Sequence, residues 1–380
     1  KQTVVIVSFL FLYFLSRLFL REWRDVQLAW LFFHLSGSLV LLWGIGQNIL
    51  FLFWGQGEYS IMPGRPNGTL IEPDWLGLFL LFLLTPVLGW LKQGLDKRSS
   101  LKTLLLPALF LIGIFTALIL TVSRSAWLGA LVVCGSFLFF AFSKRGKELA
   151  VRPALSFLQW VIVAFGIALV LVEGIPLTRF ALIDRAGSTV SHLQEITLAC
   201  DGRFSPPQTI QSIDELAQYG CQHIPLEEKA ARQAEGQTLA TTYRPDPNVN
   251  IRKMIFSTAW NEIKAHPFLG IGWGNIGTKL GVDERGASYN ASNIFLEVWL
   301  GGGLLSLFGF VGFLAWVGYR FLKEWWKSPE DFTLQALFVS LLLGFLVFNL
   351  FNTGLLLGFV WVWLALFPLV FPYVTQKQNP

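Results

Sequence analysis

Long apolar runs dominate the chain, and polar residues gather between them. The runs fall at 3–20, 27–46, 76–92, 103–122, 126–142, 154–173, 294–316, 333–351 and 355–373. Together they are rich in Leu, Phe, Val and Trp all round rather than on one stripe, as helices are when they are buried or face lipid. A helix needs roughly 20 apolar residues to cross the hydrocarbon core of a bilayer. The pattern predicts an all-α polytopic membrane protein with about nine spans in this chain. No run has the short apolar region and cleavage site of a secretory signal. The one long interruption divides the chain into 1–173, a loop over 174–293, and 294–380.

Within that loop the pattern changes twice. Leu177–His192 is mixed, and Thr197–Asn250 is polar and carries Pro206, Pro207, Pro225, Pro245 and Pro247. Ser212–Gln218 and Leu226–Gly236 read as short surface helices. Polar loops of this length are functional or disordered more often than not. From Arg252 onward, Ile255, Phe256, Ala259, Trp260 and Ile263 recur at helical spacing, with Arg252, Lys253, Glu262 and Lys264 off that face. This predicts an amphipathic helix over 251–265, suited to the membrane interface. It ends at His266-Pro267, before a turn rich in glycine: Gly270, Gly272, Gly274 and Gly277.

Charge orients the spans. Arg17, Arg21 and Arg24 follow the first run, and Lys92, Lys97, Arg98 and Lys102 link the third to the fourth. Lys144, Arg145, Lys147 and Arg152 link the fifth to the sixth; Arg320, Lys323 and Lys327 link the seventh to the eighth; Lys377 follows the last. Cytoplasmic links carry the Lys/Arg excess, so these face the cytoplasm. The links 47–75, 123–125, 174–293 and 352–354 then lie outside. Lys1 is placed outside too, so the chain is expected to be an N-terminal truncation lacking an odd number of spans.

Composition agrees and narrows the function. The chain has 380 residues, of which 54% are hydrophobic and 14% charged, and soluble domains carry far more charge. The net charge of +5 follows from the cytoplasmic bias and calls for no nucleic-acid partner. Cys134 lies in a span, whereas Cys200 and Cys221 lie in the outer loop, where disulfides persist. A Cys200–Cys221 bridge is expected there; two free thiols are the alternative. The four histidines show no metal-ligand spacing.

Candidate chemistry sits at the outer ends of the spans. Arg65 lies in the first outer link, a fixed cation at the membrane surface; the competing reading is a surface anchor, with Trp75 in the aromatic belt. Arg124, within Thr121-Val122-Ser123-Arg124-Ser125, joins two spans with almost no link. Its forked donors suit a phosphate group; the competing reading is an arginine reaching to lipid head groups. Arg252 opens the amphipathic helix. Asn293 and Glu297 are four apart and share a helix face. Glu297 lies about one turn into the membrane, where a carboxylate needs a partner, and an outer arginine is the expected one.

Together these segments resemble the O-antigen ligase and polymerase family, the Wzy/WaaL-like glycan transferases. The resemblance rests on "RPNGTLIEPDWLGLFL", "TVSRSAWLGALV", "IRKMIFSTAWNEIKAHPFLGIGWGNI" and "SNIFLEVWLGGGLLSLFGF", on their order, and on the large loop before the third-last span. It implies a GT-C-like helical bundle of about twelve spans, three of them preceding this chain. It also implies a metal-independent, cofactor-free enzyme of the bacterial inner membrane. Such an enzyme moves a glycan from undecaprenyl diphosphate to lipid A core, a growing glycan or a protein on the periplasmic face. The positions matching the family's diphosphate-binding arginines are Arg124 and Arg252, with Arg65 as a third. Catalytic candidates are Glu297, Asn293 and His266. One position departs from the pattern: Ser292 stands where the family's ligases carry a histidine thought to activate the acceptor. A serine is no general base near neutral pH without help. That departure keeps an inactive family member open. A transporter is the rival from another class.

Overall fold

A computed structural model describes the chain except for residues 1, 56–57, 63, 145–147, 150, 179–192, 203–204, 225–228, 246, 283–287, 328–331 and 378–380. The reading of Leu177–His192 therefore falls mostly outside the described residues. The chain forms two compact units, one of Lys1–Thr178 with Thr258–Pro380 and one of Arg179–Ser257.

The first unit holds the long apolar helices: α1 (Gln2–Phe19), α2 (Trp23–Trp54), α3 (Pro73–Asp96), α4 (Leu101–Leu120), α5 (Arg124–Phe142) and α6 (Val151–Gly174). A two-stranded hairpin of β1 (Ser143–Lys144) and β2 (Glu148–Leu149) links α5 to α6. Among the described residues, six helices are long and apolar enough to cross a membrane, and further apolar helices are shorter. The chain is a polytopic membrane protein.

α3 is the central helix. Leu76, Leu78, Leu80, Leu81, Leu84, Leu88 and Leu91 are all fully buried, so its apolar surface meets protein on every side. α2 is the opposite case: Leu31, Phe32, Leu35, Leu39 and Leu42 are exposed, as a lipid-facing helix requires. Small residues set the closest approaches, as expected where lipid removes the usual hydrophobic drive between helices. A Cβ on Gly77 would stand 2.5 Å from the Cβ of Ala126, which brings α3 against α5. Gly129 of α5 and Gly344 of α11 (Thr333–Asn349) meet backbone to backbone.

Two boundaries differ from the hydropathy pattern. α2 runs on to Trp54, so the following link starts at 55 rather than 47. Nothing in 47–54 breaks a helix, and the polar pair Gln47-Asn48 is buried against that link instead of meeting water. The seventh apolar helix, α10 (Ile294–Lys327), is interrupted at Gly303, whose φ of 70° and ψ of −167° are non-helical.

The second unit contains a three-stranded antiparallel sheet that the polar, proline-rich pattern did not reveal. Its order is β4 (Cys221–His223), β3 (Leu193–Cys200), β5 (Thr238–Pro245). The register pairs Cys200 with Cys221, and the two form a disulfide with Cα atoms 4.0 Å apart. Ile196, Leu198, Ile210 and Leu216 pack with this bridge into a small core of their own. A 3₁₀ helix at Ile213–Tyr219 lies between β3 and β4 in sequence, and α7 (Lys229–Ala234) between β4 and β5. Alternation along β3 was masked because both of its faces are covered: Thr197 and Ala199 are as buried as Ile196 and Leu198.

Candidate functional site

Polar side chains from three inter-helix links and from the start of α10 meet at one end of the helical bundle. The first link, 55–72, is secured from α2. Gln47 accepts the backbone N–H groups of Asn67 (3.1 Å) and Gly68 (2.8 Å) and donates to the carbonyls of Tyr59 and Gly68. Asn48 donates to the carbonyls of Gly64 (3.3 Å) and Leu177 (3.0 Å). Backbone groups of Tyr59, Gly64, Asn67 and Gly68 are thus paired with side chains of α2.

This fixes Arg65. Its Nε donates to the carbonyl of Thr121 at 2.9 Å, near the end of α4, and another guanidinium nitrogen lies 3.9 Å from the Asp74 carboxylate. A third contacts the sulfur of Met62. Asp74 follows Pro73 at the start of α3, where the helix dipole favours a negative charge. Its other carboxylate oxygen accepts the hydroxyl of Ser123. Ser123 occupies the N-cap of α5 but makes no capping bond with its side chain; the hydroxyl goes to Asp74 instead. Ser123 also lies 3.2 Å from the Ser125 hydroxyl, which accepts from the side chain of Asn352 at 2.8 Å. Arg124 stands between those serines as the first residue of α5, half-buried.

Asn293 joins from α10. Its Oδ1 accepts the N–H groups of Phe295 (3.0 Å) and Leu296 (3.2 Å), so it caps the helix, and its Nδ2 donates to the Leu350 carbonyl at 3.2 Å. Sequence spacing placed Asn293 and Glu297 on one helix face; the geometry adds that Asn293 is the N-cap of that helix. Glu297 is buried, and the expected arginine is not its partner. Its Oε2 accepts the N–H of Ala291 at 2.7 Å, and among the described residues no cation pairs with it. The turn is tight: Ser292 has φ of 49°, and its N–H donates to Asn290 Oδ1 at 2.9 Å.

The glycine-rich turn has a definite seat. α8 (Pro247–Ala265) begins four residues before the amphipathic pattern, so Arg252 lies inside it rather than at its start. Ile255, Ala259 and Ile263 are buried, whereas Phe256 and Trp260 are exposed, so the predicted apolar face is split in two. After α8 the chain docks on the break in α10. With Gly303 non-helical, the Leu304 N–H donates to the Pro267 carbonyl at 2.9 Å, and the Ile271 N–H takes up the Leu300 carbonyl at 2.8 Å. Trp299 Nε1 also donates to Pro267 (3.1 Å), and the Trp299 ring meets Trp260 edge to face. The Leu304 N–H and the Leu300 carbonyl, freed by the break, thereby find partners. Only glycine fits: a Cβ on Gly303 would collide with the Phe268 carbonyl, and one on Gly301 with the Trp273 ring. Gly301 and Gly303 thus let α10 pack directly against this turn. A short helix, α9 (Ile276–Leu280), follows, and Lys279 there pairs with Glu262 of α8 at 3.4 Å.

The predicted residues therefore separate into groups. Arg65, Arg124 and Asn293 lie in one polar assembly, with Glu297 one helical turn beyond Asn293. His266 is exposed at the end of α8. Arg252, Cys200 and Cys221 belong to the second unit. Asp74, Ser123, Ser125, Asn352 and Gln47 had not been singled out. The signal for Asp74 was an acidic residue directly after a proline at a helix start; nothing marked Asn352.

The first unit is a helical bundle with charged and hydrogen-bonding groups gathered at one end, the fold of a polytopic membrane protein. Residues 108–317 match the O-antigen ligase family (Wzy_C), and this is more than half of the chain; the chain belongs to the O-antigen ligase family. The match includes Arg124, Arg252, His266, Asn293 and Glu297, and leaves Arg65, Asp74 and Asn352 outside it. No curated protein matches the chain.

Proposed function

We propose that the chain is a glycan transferase of the bacterial inner membrane, built as a GT-C-like bundle with nine spans in this chain. It moves a glycan from undecaprenyl diphosphate to lipid A core, a growing glycan or a protein on the periplasmic face. The carrying observation is the assembly of Arg65, Asp74, Ser123, Ser125 and Asn352 around the Arg124 turn, in a member of the O-antigen ligase family. All of these residues come from links that the charge pattern assigns to the outer side. They stand at helix ends rather than mid-span, which favours a transferase over a carrier.

In this reading an acceptor hydroxyl attacks the anomeric carbon, whose bond to the diphosphate oxygen breaks. The electron pair leaves with the diphosphate, and the acceptor proton passes to a base. Arg124 and Arg252 stabilise the departing charge. Arg65 adds its field from behind, since its guanidinium nitrogens already contact Thr121, Met62 and Asp74. Asn293 shapes the acceptor side by capping α10. With Ser292 in the histidine's place, the base is Glu297 or His266. Glu297→Gln keeps an acceptor oxygen for the Ala291 N–H, so loss of turnover in that variant with intact folding assigns the base to Glu297; loss in His266→Gln assigns it to His266. No metal takes part.

Arg124→Ala and Arg252→Ala, inserted normally, should each abolish polymeric surface glycan in cells. Unchanged surface glycan in both would refute the reading.

A further inference from the structure

Arg124 is carried by a turn whose conformation is costly. Val122, two residues before it, has φ of 51° and is almost fully buried. A β-branched residue in the left-handed region is a true outlier, and such strain persists only where the surroundings over-determine it. Three side chains do so here. Arg65 holds the Thr121 carbonyl, Asp74 holds the Ser123 hydroxyl, and Asn352 holds the Ser125 hydroxyl. Arg65 and Asp74 are in turn paired with each other.

The backbone explains why Asp74 reaches Ser123. Gly77 and Ala126 touch where α3 meets α5. Asp74 and Ser123 each lie three residues before that contact, so both sit one turn toward the same end of the bundle. Asp74 is therefore aimed at the turn by the packing of two helices, and its charge is held by Arg65 and the start of α3.

We propose that Asp74, acting with Ser123, is the positioning residue of the diphosphate site: it holds the strained Val122–Ser125 turn so that Arg124 meets the diphosphate of the lipid-linked donor. The proposal rests on the reading of Arg124 as a diphosphate ligand. Asp74 itself touches no reacting atom. Its carboxylate is committed to Ser123 and Arg65, and a free carboxylate facing the diphosphate would repel it.

The test uses the full chain in nanodiscs and measures binding of undecaprenyl diphosphate and, in parallel, of undecaprenol. Asp74→Ala should weaken undecaprenyl diphosphate binding by roughly tenfold to a hundredfold, the range for a lost hydrogen bond to a charged group, and leave undecaprenol binding unchanged. Asp74→Asn keeps an acceptor for Ser123 but loses the ion pair with Arg65, so it should fall between Asp74→Ala and the wild type. Ser123→Ala loses the same hydrogen bond but keeps the Arg65–Asp74 pair, so it too should fall between Asp74→Ala and the wild type; if Asp74→Ala does not fold, the other two variants carry the test. Wild-type diphosphate binding in Asp74→Ala would overturn the proposal. So would equal loss of both lipids, which marks a merely structural residue. Arg124→Ala separates the two readings. If it retains diphosphate binding, the diphosphate reading fails and this proposal with it; if it loses binding while the Asp74 variants do not, this proposal alone fails.

Discussion

Gly303→Ala is the most direct test of how the turn after α8 is joined to α10. An added Cβ would collide with the Phe268 carbonyl, and φ of 70° with ψ of −167° is a region that L-residues avoid. Backbone strain of this kind costs about 1–3 kcal/mol, and forcing atoms into a packed contact costs about 1–3 kcal/mol more. If the turn moves away to relieve the clash, the bonds from Leu304 to Pro267 and from Ile271 to Leu300 are lost, each worth about 1 kcal/mol. Strain and release are alternatives in part, so the expected destabilisation is about 3–5 kcal/mol. Gly309, on the same helix, has nothing within 4 Å of its added Cβ, and Gly309→Ala should be neutral or stabilise by up to about 1 kcal/mol. Equilibrium unfolding in mixed micelles, followed by circular dichroism, measures both. Amide exchange adds a local readout, because Leu304 and Ile271 should lose protection in Gly303→Ala. Gly270→Ala attacks the same seat from the other side, where its Cβ would stand 2.7 Å from the Gly303 nitrogen. The double variant should therefore cost less than the sum of the single ones. A Gly303→Ala loss no larger than that of Gly309→Ala would refute the docking argument.

Removing the disulfide by Cys200→Ser should destabilise the second unit by about 3 kcal/mol, seen as faster proteolysis between 193 and 245, and the wild-type cysteines at 200 and 221 should resist thiol labelling until reduced. Gln47→Leu leaves several backbone groups of the 55–72 link without partners, at about 1–3 kcal/mol for each one that stays buried; the link should become protease-sensitive and turnover should fall, and an unaltered cleavage pattern would count against the role of Gln47. Gly344→Leu should separate α11 from α5 and lower the yield of folded protein, whereas Gly135→Leu, at a position with open space around it, should be tolerated.

The elements that hydropathy made legible are those whose environment is uniform. A span in lipid must be apolar along its whole length, so α3, α4, α5 and α6 were visible as runs. Boundaries failed where protein replaced water as the partner of polar groups. Gln47 and Asn48 read as the start of a link, because a local pattern cannot show that a later segment folds back onto them. The sheet of the second unit was hidden for a related reason: with both faces of β3 covered, no alternation survives.

The sequence alone determined the membrane class and the family, since each rests on local composition or on a contiguous motif. It also supplied the arginines as candidates. Only the tertiary structure decided what each residue does with its neighbours. It turned Asn293 into a helix cap, gave Glu297 a backbone partner, made Gly303 the seat of the Pro267 turn, and brought in Asp74 and Asn352. These depend on contacts between segments distant in sequence, as between Ser125 and Asn352. Hydrogen bonds and close packing are short-ranged in space, and spacing along the chain carries no record of which distant groups will meet.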